Sequence, residues 1–559
     1  MRNWTPWPTT CSVPAEAARA VPPRDAMLPE TILFDGHILT QDLGCPRASA
    51  LVVRGERIVA VGGQREMLSL AGPHTVRLGL EGRTVLPGLV DAHLHLDWYA
   101  RSLSGVAAET ATRAECLARV RARAQETAPG AWIEGSGWNH NAWGGVYGTR
   151  AELDEAAPQQ AVVLTAKSGH AAWANTRALE AAGITGNTPD PPGGRIGRAP
   201  DGTPDGLLFE RAMDLVTRVQ PELAGEALVE ALVRTQQDLA RLGLTAVHDF
   251  SSPRTWEALH ELQARGELRL RVVKNLPGSE LEQLLAQGRR AGLGDAWLRL
   301  GHLKFFADGA LGPRTAAMME PYEGEPGNLG LLVTDRETLV ERGRLATLGG
   351  WPIAVHAIGD RAVHEVLEAF DALRALEAEH HIPRDARRHR IEHLQLALEE
   401  DLPRPAQLDL VASMQPSHAP SDRRMAERYW GPRCARAYAW RSQLAAGAHL
   451  AFGSDAPVEP PNPFEGLHAA VTRRGADGEP DAAGWYPEQR LTLAEAWRAF
   501  TLGPAYAAGV ENECGILAAG RWADLVVLDE DPFAVPAEAL RHIAPRATMV
   551  GGRWTWRGF

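Results

Sequence analysis

Six side chains along this 559-residue chain have the types and the placement to hold a divalent metal. His93 and His95 stand one residue apart at the end of an apolar run, Val85-Leu-Pro-Gly-Leu-Val-Asp-Ala-His-Leu-His-Leu96. On a strand, residues i and i+2 project from one face about 7 Å apart, so both imidazoles can aim at one ion. In a chain with 19 histidines, that pair does not establish a site. Four further candidates end other apolar runs. They are Lys304 in His302-Leu-Lys-Phe-Phe-Ala-Asp-Gly309, His356 in Ile353-Ala-Val-His-Ala-Ile-Gly-Asp360, His393 in Arg390-Ile-Glu-His-Leu-Gln395, and Asp455 in Leu450-Ala-Phe-Gly-Ser-Asp-Ala-Pro457. One histidine at a strand end is ordinarily a packing residue. Histidines and an aspartate recurring at strand ends, in chain order, are the pattern of a metal centre.

The elements that must position these donors are short apolar strands. Eight are predicted: 89–96, 244–250, 268–274, 300–308, 352–358, 389–396, 410–415 and 449–455. Most are followed by a helical pattern such as 362–378. Eight strands alternating with helices predict a (β/α)8 barrel within an α/β fold, with its ligands at the C-terminal strand ends. A doubly wound open sheet would carry a glycine-rich phosphate turn after its first strand, where this chain carries histidines.

The barrel is expected to span 88–505. Residues 28–87 read as short strands with tight turns, including a hairpin about Arg54-Gly55. The strands of 506–559 have the same character, and neither end is thick enough to fold alone. Together they predict a split β-sandwich formed from both ends of the chain. Residues 105–240 are too long for one crossover helix and are read as an inserted subdomain after the first strand, on the active-site face. Its aromatic cluster, Trp132, Trp138, Trp143 and Tyr147, fits a subdomain core better than a substrate wall. Residues 1–27, rich in Trp and Pro, are expected to be a disordered tail without a signal peptide, with Met27 a candidate start.

A net charge of −12 and a pI near 5.9 argue against nucleic acid or an anionic membrane surface as partner. No apolar run is long enough to span a bilayer. Cys11, Cys45, Cys116, Cys434 and Cys514 are far apart, which predicts reduced thiols in a cytoplasmic protein. A small-molecule substrate is the expected partner, and a homodimer the expected assembly.

The motifs in combination resemble the metal-dependent amidohydrolase superfamily, and within it the YtcJ-like, amidohydrolase 3 group. The resemblance runs from about Thr31 to the end. It rests on Pro87-Gly-Leu-Val-Asp-Ala-His-Leu-His95, Lys304-Phe-Phe-Ala-Asp-Gly-Ala-Leu-Gly-Pro-Arg-Thr-Ala316, His356-Ala-Ile-Gly-Asp-Arg-Ala362, Ile391-Glu-His-Leu-Gln395 and Gly453-Ser-Asp-Ala-Pro-Val458. It implies that His93, His95 and Asp455 hold one ion and His356 and His393 a second. Lys304 would bridge two zinc or similar ions as an N-carboxylated side chain, which burial favours by lowering the lysine pKa. Asp455 would carry the proton from a metal-activated water to the leaving nitrogen. An ion pair between Lys304 and a carboxylate such as Asp308, with a single metal, remains open.

The reaction implied is hydrolysis of a non-peptide C–N bond in an amide, formamide or cyclic amide. Deamination and ester or lactone hydrolysis are the alternatives, with a non-catalytic metal-binding regulator a third. Candidate substrate contacts are His170, Asp308, Arg314 and Gln415. Arg314 could clamp a carboxylate, or Asp308 could pin it as structure. His248, His302, His364, His380 and His381 are read as structural or solvated.

Overall fold

The computed structural model describes residues 31–221 and 223–559; the expected tail and Met27 lie outside the described residues. Eight parallel strands form the central sheet: β1 (Leu89–Leu94), β2 (Leu244–Asp249), β3 (Arg271–Pro277), β4 (Leu298–Phe306), β5 (Ile353–Ala357), β6 (Arg390–His393), β7 (Val411–Met414) and β8 (His449–Phe452). They pair in sequence order from β1 to β8. Each predicted strand overlaps its observed one, because a strand buried on both faces reads as a continuous apolar run. The helix expected over 362–378 is found at Asp360–Glu379, with its Val363, Val366, Phe370 and Leu373 face buried against the barrel.

β8 and β1 are not joined by a ladder. Single bonds just beyond their ends close the barrel instead: Asp455 N–H to His93 O (2.7 Å) and His95 N–H to Ala456 O (2.9 Å). The buried Asp91 carboxylate reinforces this seam by accepting from His93 N–H (3.0 Å), Ser454 N–H (3.1 Å) and Ser454 Oγ (2.5 Å). Gly453 permits the approach, since a Cβ there would lie 2.5 Å from His93 N. The seam therefore ties the loop bearing Asp455 directly to the strand bearing His93.

The strands of the two chain ends share one sheet. Its hydrogen-bonded order runs Arg553–Arg557, Pro545–Val550, Leu525–Leu528, Thr84–Pro87, Thr31–Leu39, Arg47–Arg54, Arg57–Gly62, with Val76–Gly79 branching from Thr31–Leu39. The hairpin at Gly55 is present, with Arg54 paired to Arg57 and Gly55 at φ 56°. Its core joins Leu33, Leu51 and Val85 to Leu525, Val527 and Met549, so the first and last segments bury each other's apolar faces. The buried Arg271–Asp524 pair (2.7 Å) fastens this sheet to β3.

Between β1 and β2 the chain forms a separate six-stranded sheet from Val106–Ala107 to Pro204–Glu210. Trp138 and Trp173 are fully buried in its core, against Ile133, Leu164 and Phe209. The helix Gly225–Arg241 then carries the chain back to β2, burying Leu228, Leu232 and Leu239. Among the described residues, no helix is long and apolar enough to cross a membrane.

Candidate metal centre

All six predicted donors line one cavity of about 630 Å³ at the C-terminal ends of the barrel strands. Asp455 is the hub. Its Oδ1 lies 3.4 Å from His93 Nε2 and 3.2 Å from His95 Nε2, and its Oδ2 lies 3.9 Å from His393 Nδ1. The His356 and His393 rings are 4.6 Å apart, and the His93 and His393 rings 4.9 Å. Two donors sit on strained backbone, His393 at φ 74° and Asp455 at φ 63°. Left-handed backbone at a non-glycine residue costs of order 1–3 kcal/mol and persists where the surroundings enforce it. Here it turns both side chains inward at the ends of β6 and β8.

In three of the four histidines one ring nitrogen is engaged in a way that leaves the other free. His93 Nδ1 meets Glu392 Oε2 at 2.6 Å, His356 Nε2 donates to Gly309 O at 2.8 Å, and His393 Nδ1 donates to Gln415 Oε1 at 2.8 Å. His93 Nε2 is buried with no hydrogen-bond partner among the described residues. A buried polar atom left unsatisfied is rare, and a ring nitrogen aimed at a carboxylate and a second histidine fits a metal ligand. The donors are nitrogen and oxygen only, which suits zinc and its first-row neighbours. His93, His95 and Asp455 present donor atoms within 4.8 Å of one another, the spacing of a common coordination sphere.

Electrostatics favour the ligand form of the buried histidines and of Asp455. Burial pushes His93 down to about 4 and holds His356 and His393 well below the usual imidazole value, which favours the neutral ring at each. Burial works against the Asp455 carboxylate, yet His93, His95 and His393 together hold it well below the ordinary range. Burial also lowers Lys304 to about 8. Its ammonium lies over the Phe250 and Phe306 rings, at 4.8 and 5.0 Å, and forms no ion pair within 4.0 Å among the described residues. The alternative pairing with Asp308 is therefore not formed. Asp308 instead accepts backbone N–H groups of Ala317 (2.9 Å), Ile358 (3.0 Å) and Gly359 (2.8 Å). It lines the cavity, but as the anchor of two loops.

The other expected contacts divide. His170 lines the cavity, its Nδ1 2.8 Å from Glu210 Oε2, and its ring 6.1 Å from that of His356. Gln415 acts on His393 and does not line the cavity. Arg314 is a correction. Its guanidinium is held by Glu325 (3.1 Å) and the Tyr429 hydroxyl (3.2 Å), on backbone at φ 58°. Neither a substrate clamp nor Asp308 engages it. His248 and His302 are structural as expected, bonded to Arg390 (2.8 Å) and to Arg388 O (2.8 Å).

Sequence reasoning missed Glu392, Glu210 and His418. Glu392 lies in a motif that was read only for its histidine; a charged residue inside an apolar strand was the available signal. Glu210 accepts from Thr315 Oγ1 (2.7 Å) as well as meeting His170, and so joins the inserted sheet to the loop after β4. On the opposite side, Lys167 joins that sheet to the loop after β8 through Glu459 (3.1 Å). Beneath the insertion, a narrower chamber of about 80 Å³ adjoins the donors, walled by Trp138, His140, Tyr147, Met425 and Val458. Trp138 thus serves both as subdomain core and as cavity wall.

A model of the amidohydrolase family matches residues 79–555. This chain belongs to the amidohydrolase family. It is 33% identical over 539 residues to the putative amidohydrolase YtcJ of Bacillus subtilis, covering 94% of this chain and 99% of that one. It is 29% identical over 540 residues to an N-substituted formamide deformylase of Arthrobacter pascens, covering 94% and 97%. A solved structure of an uncharacterised metal-dependent hydrolase from Pyrococcus horikoshii superposes with a TM-score of 0.75 at 27% identity, covering 91% of this chain and 99% of that one. This amidohydrolase is thus a metal-dependent hydrolase on a (β/α)8 barrel, and the His/Asp cluster is its candidate metal centre.

Proposed function

We propose that this amidohydrolase cleaves the C–N bond of a small amide, formamide or cyclic amide. Asp455, set against His93 and His95 at the floor of the cavity, is the observation that carries the reading. His93, His95 and Asp455 would hold one divalent ion, zinc or a similar metal, and His356 and His393 a second. Lys304, whose neutral amine burial favours, would add CO2, release a proton and, as an N-carboxylate, help to hold both ions. Bound metal supplies a Lewis acid for the carbonyl and lowers the pKa of water towards roughly 7.

The chain's own groups do the rest. Asp455, ionised at neutral pH, accepts the proton of the attacking water and delivers it to the leaving nitrogen as the C–N bond breaks, giving a carboxylate and an amine. His170, fixed by Glu210, faces the substrate from the insertion. The relative from Arthrobacter pascens is named for acting on N-substituted formamides, which supports this bond class and a formyl group small enough for the floor of the cavity.

The test is a panel of N-formyl and N-acyl amines, cyclic amides, amino-heterocycles, esters and lactones, with protein loaded with zinc or manganese. Release of free amine with carboxylate is the expected result, abolished in Asp455→Asn. Ammonia release from amino-heterocycles would make the protein a deaminase, and turnover of esters alone would move it to C–O bonds. A cytoplasmic, homodimeric protein is the setting proposed.

A further inference from the structure

His418 has no role in the reading above, yet it stands at the metal centre. It begins the helix His418–Trp430, just past the end of β7, and is 5% exposed. Its Nδ1 lies 3.2 Å from Gln395 Nε2. Its Nε2 is buried with no hydrogen-bond partner among the described residues. Buried polar atoms are nearly always satisfied by protein or water, so an orphaned imidazole nitrogen beside other donors points to a ligand. Those donors are His393 and Asp455, 4% and 8% exposed. One donor atom from each of His393, His418 and Asp455 lies within 4.8 Å of the others.

The Asp455 carboxylate divides between two donor sets. Oδ1 lies 3.4 and 3.2 Å from Nε2 of His93 and His95, and Oδ2 lies 3.9 Å from His393 Nδ1, the nitrogen that also donates to Gln415. The His393 and His418 rings are nearly parallel, 7° apart with centroids 6.3 Å distant.

We propose that His418 Nε2 is a further ligand of the second divalent ion, which shares the Asp455 carboxylate with the first. The inference rests on the metal-dependent reading above and does not require hydrolysis. It assigns a ligand from the end of β7 to a centre otherwise built from β1, β4, β5, β6 and β8.

The test is titration of chelator-stripped full-length protein with Zn²⁺ and with Co²⁺, followed by calorimetry and elemental analysis. Wild type is expected to bind two equivalents. His418→Ala is expected to keep the first with unchanged affinity and to lose the second or bind it at least tenfold more weakly. His418→Cys loaded with Co²⁺ is expected to show a thiolate-to-cobalt charge-transfer band in the near ultraviolet, which a merely structural histidine would not produce. Circular dichroism of the metal-free variants checks folding; should the alanine variant misfold, the cysteine variant decides. Two equivalents at wild-type affinity in His418→Ala, two bound Co²⁺ without the band in His418→Cys, or fewer than two equivalents in wild type would each overturn the assignment. Two bound ions with no turnover on any panel substrate would defeat the proposed reaction and leave this coordination standing.

Discussion

His93 Nδ1 and Glu392 Oε2, 299 residues apart in sequence, meet at 2.6 Å in the fully buried interior of the barrel. The same carboxylate oxygen accepts from Arg390 at 3.0 Å, and Arg390 also donates to Ala92 O and Ser413 Oγ. The guanidinium, carboxylate and imidazole thus form one chain under the metal centre, and Glu392 sets which His93 nitrogen faces the cavity. Arg390 and His93 hold the Glu392 carboxyl well below its usual range against the effect of burial.

Replacing the charge at Glu392 follows from this. Glu392→Gln keeps the shape but weakens the hold on His93 and leaves Arg390 without its buried counter-charge. Partners of this kind are worth about 10–100-fold in metal affinity. The expected outcome is a 10–100-fold rise in the zinc dissociation constant, measured by competition with a chelator. Wild-type affinity in this variant would show that Glu392 does not orient His93.

Glu210 is expected to affect turnover without affecting metal. Its carboxylate holds His170 at 2.8 Å and Thr315 at 2.7 Å from backbone at φ 49°. A hydrogen bond to a charged group contributes about 1.5–3 kcal/mol. Glu210→Gln should therefore lower kcat/KM by about 10–100-fold on whichever panel substrate wild type cleaves, with metal content unchanged. A variant as active as wild type would remove the His170–Glu210 pair from the site.

His389 predicts an acid-side loss of stability. Its Nδ1 accepts from Ile353 N–H (3.0 Å) and its Nε2 donates to Glu377 (2.9 Å), so the ring is neutral in the fold. Burial lowers its pKa even against the Glu377 hydrogen bond. Above an unfolded value of about 6.5 neither state carries the proton and the fold loses nothing. As pH falls below about 6.5, the unfolded chain takes up a proton that the folded ring refuses, and stability declines until the lower folded pKa is reached. Denaturant unfolding of metal-free protein between pH 5 and 6.5 should show His389→Gln losing stability less steeply than wild type, by up to about 1.4 kcal/mol per pH unit. Parallel pH dependences would show that His389 titrates alike in both states.

The eight barrel strands and the six residues that meet at the cavity were legible in the linear chain for a local reason. A strand buried on both faces must be apolar throughout, so a histidine, lysine or aspartate at its end stands out without knowledge of its neighbours. The hairpin at Gly55 was legible for the same reason, as a short-range turn. The groups that orient the donors were not legible. Glu392 stands out as a charge inside an apolar strand, but its partner His93 is not evident until β1 and β6 face each other across the barrel, and Gln415 reads as a pocket residue until β7 places it against His393. Arg314 shows the converse: its type suggested a clamp, and the fold pairs it with Glu325 and Tyr429. Residue type and strand periodicity, set by nearest neighbours, specified the barrel and the kind of chemistry. Ring-nitrogen orientation, the placement of the Asp455 oxygens and the orphaned His418 depend on contacts between separate strands and loops, from His418 with Gln395 to His93 with Glu392, and only the tertiary structure decided them.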